Sequence, residues 1–189
     1  MSLGKRVFDF IVAAVVLIIL LIPLVLIAIT VWLTSAGPAL YWSKRIGKNN
    51  RSFSMPKFRT MRIDTPAVAT HLMDNPENYV TPVGRILRKT SLDELPQLWS
   101  ILAGDMSLVG PRPALFNQHD LIELRSEYGV DRLVPGLTGW AQVNGRDELP
   151  VRDKVRLDAE YLARQSFLFD CKIVFLTFAR VMRRQGVAH

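Results

Sequence analysis

The 189-residue chain holds a single cysteine, Cys171, which excludes a disulfide framework and a cysteine-rich zinc site. It has no internal repeat and no low-complexity tract, so solenoid and linker-like architectures are excluded. Between Phe10 and Ser43 there is no charged residue at all. Residues 10–33 are almost wholly Val, Ile, Leu and Ala, too long a run for the apolar core of a cleaved signal peptide. No nucleic-acid motif accompanies the net charge of +7 and pI near 9.9, so nucleic acid is not the expected partner. An apolar anchor joined to a basic body points instead to a membrane surface and a phosphate-rich substrate. Strand signals are few.

What is present begins with the apolar run. As one helix, residues 7–34 would extend roughly 42 Å, against a hydrocarbon core of about 30 Å. Pro23 cannot donate to the carbonyl of Ile19 and crowds it, which predicts a bend there. Lys5 and Arg6 precede the run; Lys44, Arg45 and Lys48 follow it, and basic flanks favour the cytoplasmic side. A kinked transmembrane anchor satisfies the length. A segment that enters and returns to the same face also satisfies both flanks.

Beyond it, residues 41–63 read as basic and strand-like or irregular, with turn signals at Gly47-Lys48-Asn49-Asn50. Residues 64–82, punctuated by Pro66, Pro76 and Pro82, predict a surface loop, and residues 83–89 a short basic helix. In TSLDELPQLWS, residues 90–100, Leu95, Leu98, Trp99 and Leu102 fall at the spacing of a one-sided helix, stopped at Gly104. SLVGPRP, residues 107–113, is a proline-bracketed turn presenting Arg112. Further helices are predicted over residues 116–128 and 149–165, with residues 134–146 largely loop between them. The apolar segment 167–184, striped by Asp170, Thr177, Arg180 and Arg184, suits either the lipid headgroup layer or a core-packing helix. The expected fold is mainly α: a membrane-embedded unit over residues 1–36 and a small cytosolic body over residues 37–189 with amphipathic interfacial helices and little β.

Asp93 and Glu94 are the candidate chemistry. Ser91 and Glu94 match a capping box, but that register makes Pro96 the fifth helical residue and deletes a hydrogen bond. With Asp93 as cap, Pro96 falls where the N–H is free, so the helix is expected to start at Asp93 or Glu94. Both carboxylates then sit at a positive helix end, which lowers their pKa. Capping needs only one of them. Lys57, Arg59, Arg85, Arg88, Lys89, Arg112 and Arg146 all lie in Pro/Gly-edged segments outside the apolar runs. Carboxylates amid arginines suit a Mg²⁺-diphosphate site, and an ionised aspartate there can also attack phosphorus.

KRVFDF at Lys5, KFRTM at Lys57, TSLDELPQLW at Thr90, GDMSLVGPRP at Gly104 and PGLTGWAQVNGR at Pro135 occur in this order. With these five motifs the chain resembles, over essentially its whole length, the monotopic phosphoglycosyl transferases among bacterial sugar transferases. The resemblance implies transfer of a sugar-1-phosphate from a nucleoside-diphosphate sugar, of uridine type, to undecaprenyl phosphate at the cytoplasmic face of the bacterial inner membrane. It implies that Asp93 is the nucleophile forming a covalent phospho-sugar and approaches Mg²⁺, and that Glu94 is essential beside it. Lys57 or Arg59, Arg112 and Arg146 look like phosphate binders, and Arg88 is assigned with them. It implies a re-entrant membrane helix broken at a proline. Many members carry Ser-Pro at that break, where this chain has Ile22-Pro23. The chain reads as a minimal form, without the large additional N-terminal membrane region of some members. A membrane-bound diphosphatase and a basic scaffold on anionic lipid are the competing classes.

Overall fold

The structure is a computed structural model and describes residues 2–65, 76–145 and 149–183. Arg146 and Arg184, singled out above, and most of the proline-punctuated loop lie outside the described residues.

The apolar run forms two helices, α1 (Leu3–Ile19) and α2 (Leu21–Thr34), bent by 64°. The break falls at Leu20 (φ −90°, ψ 5°), three residues before the expected Pro23. Proline there is the third residue of α2, where its missing N–H deletes nothing, while its ring crowds the carbonyl of Ile19 and ends α1. Among the described residues no single helix is long and apolar enough to cross a membrane; the bent pair passes that test together. Ile18, Ile19, Leu21 and Ile22 leave the apex of the V exposed.

Both legs are fastened to one body. On α1, Arg6 donates to the carbonyls of Ile101 and Leu102, Lys5 pairs with Asp170 at 2.8 Å, and buried Asp9 accepts from Ser107 Oγ at 2.6 Å. Asp170 in turn accepts from Tyr161 at 2.7 Å. The KRVFDF motif is thus a set of bolts. At the end of α2, Val31 is buried and Arg59 donates to the carbonyls of Ser35 and Gly37.

The hairpin β1 (Leu40–Ile46) and β2 (Ser52–Phe58) pairs antiparallel from Leu40↔Phe58 to Ile46↔Ser52. Its turn takes the expected Gly47–Asn50 positions, with Asn49 and Asn50 at positive φ. β2 is an edge strand, which is why Pro56 is tolerated in it. α3 (Pro82–Thr90) is capped by the Thr81 side chain and ends at left-handed Ser91. Gly84 packs on the backbone of Thr60, where a Cβ would lie 2.1 Å from the carbonyl oxygen.

A 3₁₀ turn, Leu92–Gln97, then leads into α4 (Leu98–Ala103), which Gly104 closes at φ 99°. Three residues per turn stack Leu98 directly over Leu95 and rotate the following α-helical turn. Ile101 therefore replaces Trp99 on the buried face, and Trp99 is 60% exposed.

β3 (Ser107–Val109) pairs in parallel with β5 (Gly136–Thr138), inside the segment expected to be loop, and β4 (Ala114–Leu115) adds to β1. β3 and β5 approach so closely at glycine that a Cβ on Gly136 would lie 2.1 Å from the Gly110 nitrogen. Three residues of strand without alternation left no periodic signal. α5 (His119–Glu127), α6 (Val151–Arg164) and α7 (Phe167–Arg183) complete a mostly helical fold with two small sheets. α7 divides the two readings between its faces. Phe169 and Ile173 enter the core with Val109, Val143 and Tyr161, while Leu168, Phe175 and Phe178 are exposed.

Candidate active site

Lys57 is on the same face of β2 as Met55, which packs on Leu98 and Ile101, so it is turned toward the chain that precedes α4. Its ammonium lies 2.8 Å from Glu94 Oε1. From the opposite side, Arg112 in the proline-bracketed turn after β3 reaches the same oxygen at 2.8 Å. Burial alone would raise the Glu94 pKa; Arg112 and Lys57 outweigh it and hold the carboxyl well below the usual range. Lys57 is itself lowered by burial, with Glu94 opposing that shift.

Asp93, the preceding residue, has a different environment. It is 8% exposed, and among the described residues it accepts no side-chain hydrogen bond. Burial pushes its pKa up to about 6, against the pull of Lys57, Arg88 and Arg112, while neighbouring Glu94 adds to the rise. The lowering expected of both carboxylates from a helix N-terminus is thus reversed for Asp93, and for Glu94 it has another cause, the grip of Arg112 and Lys57. The turn begins at Leu92 behind left-handed Ser91, and neither Ser91 nor Asp93 caps it. Desolvation exceeds the field of a short 3₁₀ turn.

Arg88, near the end of α3, donates to Thr60 Oγ1 at 3.0 Å and is among the cations acting on Asp93. Arg59 is not part of this cluster. Buried at 6% exposure, it donates through Nη2 to Ser35 and Gly37, at the exit from α2, while its Nε and Nη1 are buried without a partner among the described residues. Arg85, in the same helix as Arg88, faces Glu77 at 3.6 Å on the surface. Lys57, Arg88 and Arg112 thus converge on the acidic pair. Two residues without a sequence signal support them: Arg125 of α5, which donates to the Arg112 carbonyl at 2.8 Å, and Asp158 of α6, which holds Arg125. Both lay within stretches read only as helices, where nothing in the spacing singled them out.

Chemically, one carboxylate is neutralised and fixed, and its neighbour is buried, without a side-chain hydrogen bond, easily protonated and ringed by cations. The described residues contain no group of three His, Cys, Asp or Glu side chains able to hold a metal. A carboxylate not engaged by another side chain, together with the oxygens of a bound diphosphate, still meets what Mg²⁺ requires, since that ion usually takes one or two carboxylates and substrate phosphates.

The chain belongs to the bacterial sugar transferase family, which it matches over residues 1–184. It is 44% identical over 190 residues to an undecaprenyl-phosphate glucose phosphotransferase of Komagataeibacter xylinus, covering 94% of this chain and 36% of that protein. It is 41% identical over 181 residues to the UDP-glucose:undecaprenyl-phosphate glucose-1-phosphate transferase of Escherichia coli, covering 92% and 39%. Against the uncharacterized sugar transferase EpsL of Bacillus subtilis the identity is 39% over 186 residues, covering 97% and 89%. The chain therefore spans little more than a third of the first and second of these relatives and most of the third.

Proposed function

We propose that this protein transfers a sugar-1-phosphate from a nucleoside-diphosphate sugar to a polyprenyl phosphate, with Asp93 as nucleophile. The observation that carries the reading is the contrast between adjacent carboxylates: Glu94 gripped by Lys57 and Arg112, Asp93 buried and without a side-chain hydrogen bond among the described residues. The names of the Komagataeibacter and Escherichia relatives support the donor and acceptor classes.

In the first half-reaction a carboxylate oxygen of Asp93 attacks the phosphorus that bears the sugar. The bond from that phosphorus to the bridging oxygen breaks, and the nucleoside monophosphate leaves with the electron pair. In the second, a phosphate oxygen of the polyprenyl acceptor attacks the same phosphorus and the Asp93 carboxylate is released, giving a lipid-linked diphospho-sugar. Lys57, Arg88 and Arg112 neutralise the phosphoryl oxygens as charge moves between them. Mg²⁺, held by Asp93 and the diphosphate when bound, would stabilise the leaving phosphate. Because donor and acceptor come in turn, a soluble and a lipid substrate share one site.

The V of α1 and α2 is read as re-entrant. Legs of about 25 and 21 Å at 1.5 Å per residue, meeting at the observed 64° bend, reach a depth of about 12 Å. That is less than half of a hydrocarbon core of about 30 Å. Both outer ends are tied to one body, which favours return to the same face.

The test is a panel of nucleotide sugars assayed for nucleoside monophosphate release and lipid-linked product with undecaprenyl phosphate. One donor should give both, in a Mg²⁺-dependent manner. Release that proceeds equally without the lipid would make the protein a diphosphatase, and no release from any donor would reject the transferase.

A further inference from the structure

The turn that carries Arg112 lacks the means to hold itself. Pro111 and Pro113 supply no N–H, so residues 110–113 form almost no ladder of their own. Their carbonyls are satisfied from outside. Pro111 accepts from the Gly136 N–H at 2.9 Å, Arg112 from Arg125 Nη1 at 2.8 Å, and Pro113 from Arg45 Nη1 at 3.1 Å. Arg125 is aimed by Asp158, whose Oδ2 accepts from its Nε at 3.0 Å and its Nη2 at 2.6 Å. Both partners are buried, at 8% and 1% exposure.

A buried ion pair is costly to desolvate, and apolar residues of the same volume often replace it without loss of stability. Stability is thus a poor reason for this pair to exist. Its distinguishing feature is the third donor. The fork that Asp158 fixes leaves Nη1 directed at one backbone carbonyl, that of the residue whose own guanidinium reaches Glu94.

We propose that Arg125 and Asp158 are a positioning pair for Arg112, setting the reach of its guanidinium to Glu94 and to substrate phosphate. The inference rests on the function proposed above for its kinetic consequences, but not for its structural one. Asp158 fixes Arg125, Arg125 fixes the Arg112 backbone, and Arg112 fixes the carboxylate next to the nucleophile. Neither Arg125 nor Asp158 touches the reacting atoms.

Single substitutions strand a buried charge and endanger the fold. The decisive variant is therefore Arg125→Met combined with Asp158→Leu, which removes both charges and keeps the volume. The full-length protein is studied in phospholipid nanodiscs. The double variant should fold and melt near the wild-type temperature while kcat falls roughly 10–100-fold, the range expected for misplacing a catalytic group by about an ångström. Combining it with Arg112→Gln should cost no more than Arg112→Gln alone, as for groups that act in series. Arg125→Lys, which keeps one charged donor, should retain more activity than the apolar pair. The Arg112 Nε–H resonance, assigned by its loss in Arg112→Lys, supplies a readout free of turnover. It should move toward the position of a solvent-exposed arginine in the double variant. Full turnover in a folded double variant, additive losses with Arg112→Gln, or an unshifted Arg112 resonance would each overturn the pair's role. A wild-type protein without transferase activity would instead reject the proposed function, and the resonance would still decide the pair.

Discussion

Replacing Asp93 with asparagine should abolish turnover and, at neutral pH, make the protein more stable. The pKa of Asp93 is raised from 3.8 to about 6 by burial, even after the attraction of Lys57, Arg88 and Arg112 is included. The folded state therefore binds this proton more tightly than the unfolded chain does. Below about pH 4 the carboxyl is protonated in both states and costs nothing. As pH rises through the folded pKa the native state is left with a poorly solvated anion, and stability falls. The shift from 3.8 to about 6 corresponds to a penalty of about 3 kcal/mol, fully present above pH 6. In a chain of 189 residues that amounts to about 6–12 °C in Tm. Thermal melts of wild type and Asp93→Asn in nanodiscs from pH 4 to 8 test this. The variant should melt higher at pH 7.5, and the two curves should converge near pH 4. On the proposed mechanism, in which the ionised carboxylate attacks, the wild-type kcat/KM should fall through an acid limb near pH 6. Equal or lower stability of the variant at pH 7.5, or a gap that does not close with acid, would refute the assignment of burial as the dominant cause.

Arg59→Gln removes the Nη2 bonds to Ser35 and Gly37 together with two buried unpaired donors, Nε and Nη1, so it should cost no more than about 1.5 kcal/mol of stability with little change in donor KM; a large KM effect would restore it as a phosphate binder. Gly84→Ala forces a Cβ to within 2.1 Å of the Thr60 carbonyl oxygen and should displace Arg88, lowering both Tm by several degrees and kcat. In a Cys171→Ser background, cysteines placed at exposed Ser2 and Asn49 should be labelled by an impermeant reagent from the same side of the membrane. Labelling from opposite sides would rule out the re-entrant V.

The parts that were legible in the sequence are those with strong local chemistry. The Gly47–Asn50 turn, the basic α3 and the charged α6 follow from punctuation and periodicity, although Pro82, expected in the loop, begins α3. Of the seven basic residues singled out around Asp93 and Glu94, the fold brings Lys57, Arg88 and Arg112 to the pair and turns Arg59 and Arg85 elsewhere. What stayed hidden depends on three-dimensional partners. Arg59 and Lys57 are two residues apart and equally basic, yet only the fold directs one to the site and the other to the end of α2. Trp99 fits a helical stripe in register with Leu95, and only the 3₁₀ geometry before Leu98 rotates it outward. The opposite pKa directions of neighbouring carboxylates follow from which one the cations grip, which no spacing rule contains. Arg125 and Asp158 are singled out by no sequence pattern, and only the packing of α5 on α6 brings them together and buries them.

The glycine contact between β3 and β5 has an evolutionary corollary. With backbone resting on backbone, neither Gly110 nor Gly136 has room for even a methyl group, and a Cβ on Gly139 would sit 2.1 Å from the Gly110 carbonyl oxygen. The segment beside Arg112 is thereby barred from gradual diversification. A saturation library should recover almost nothing at these three positions. Any change in what the site binds must then arise elsewhere in the chain, with this junction carried along as an immovable hinge pin.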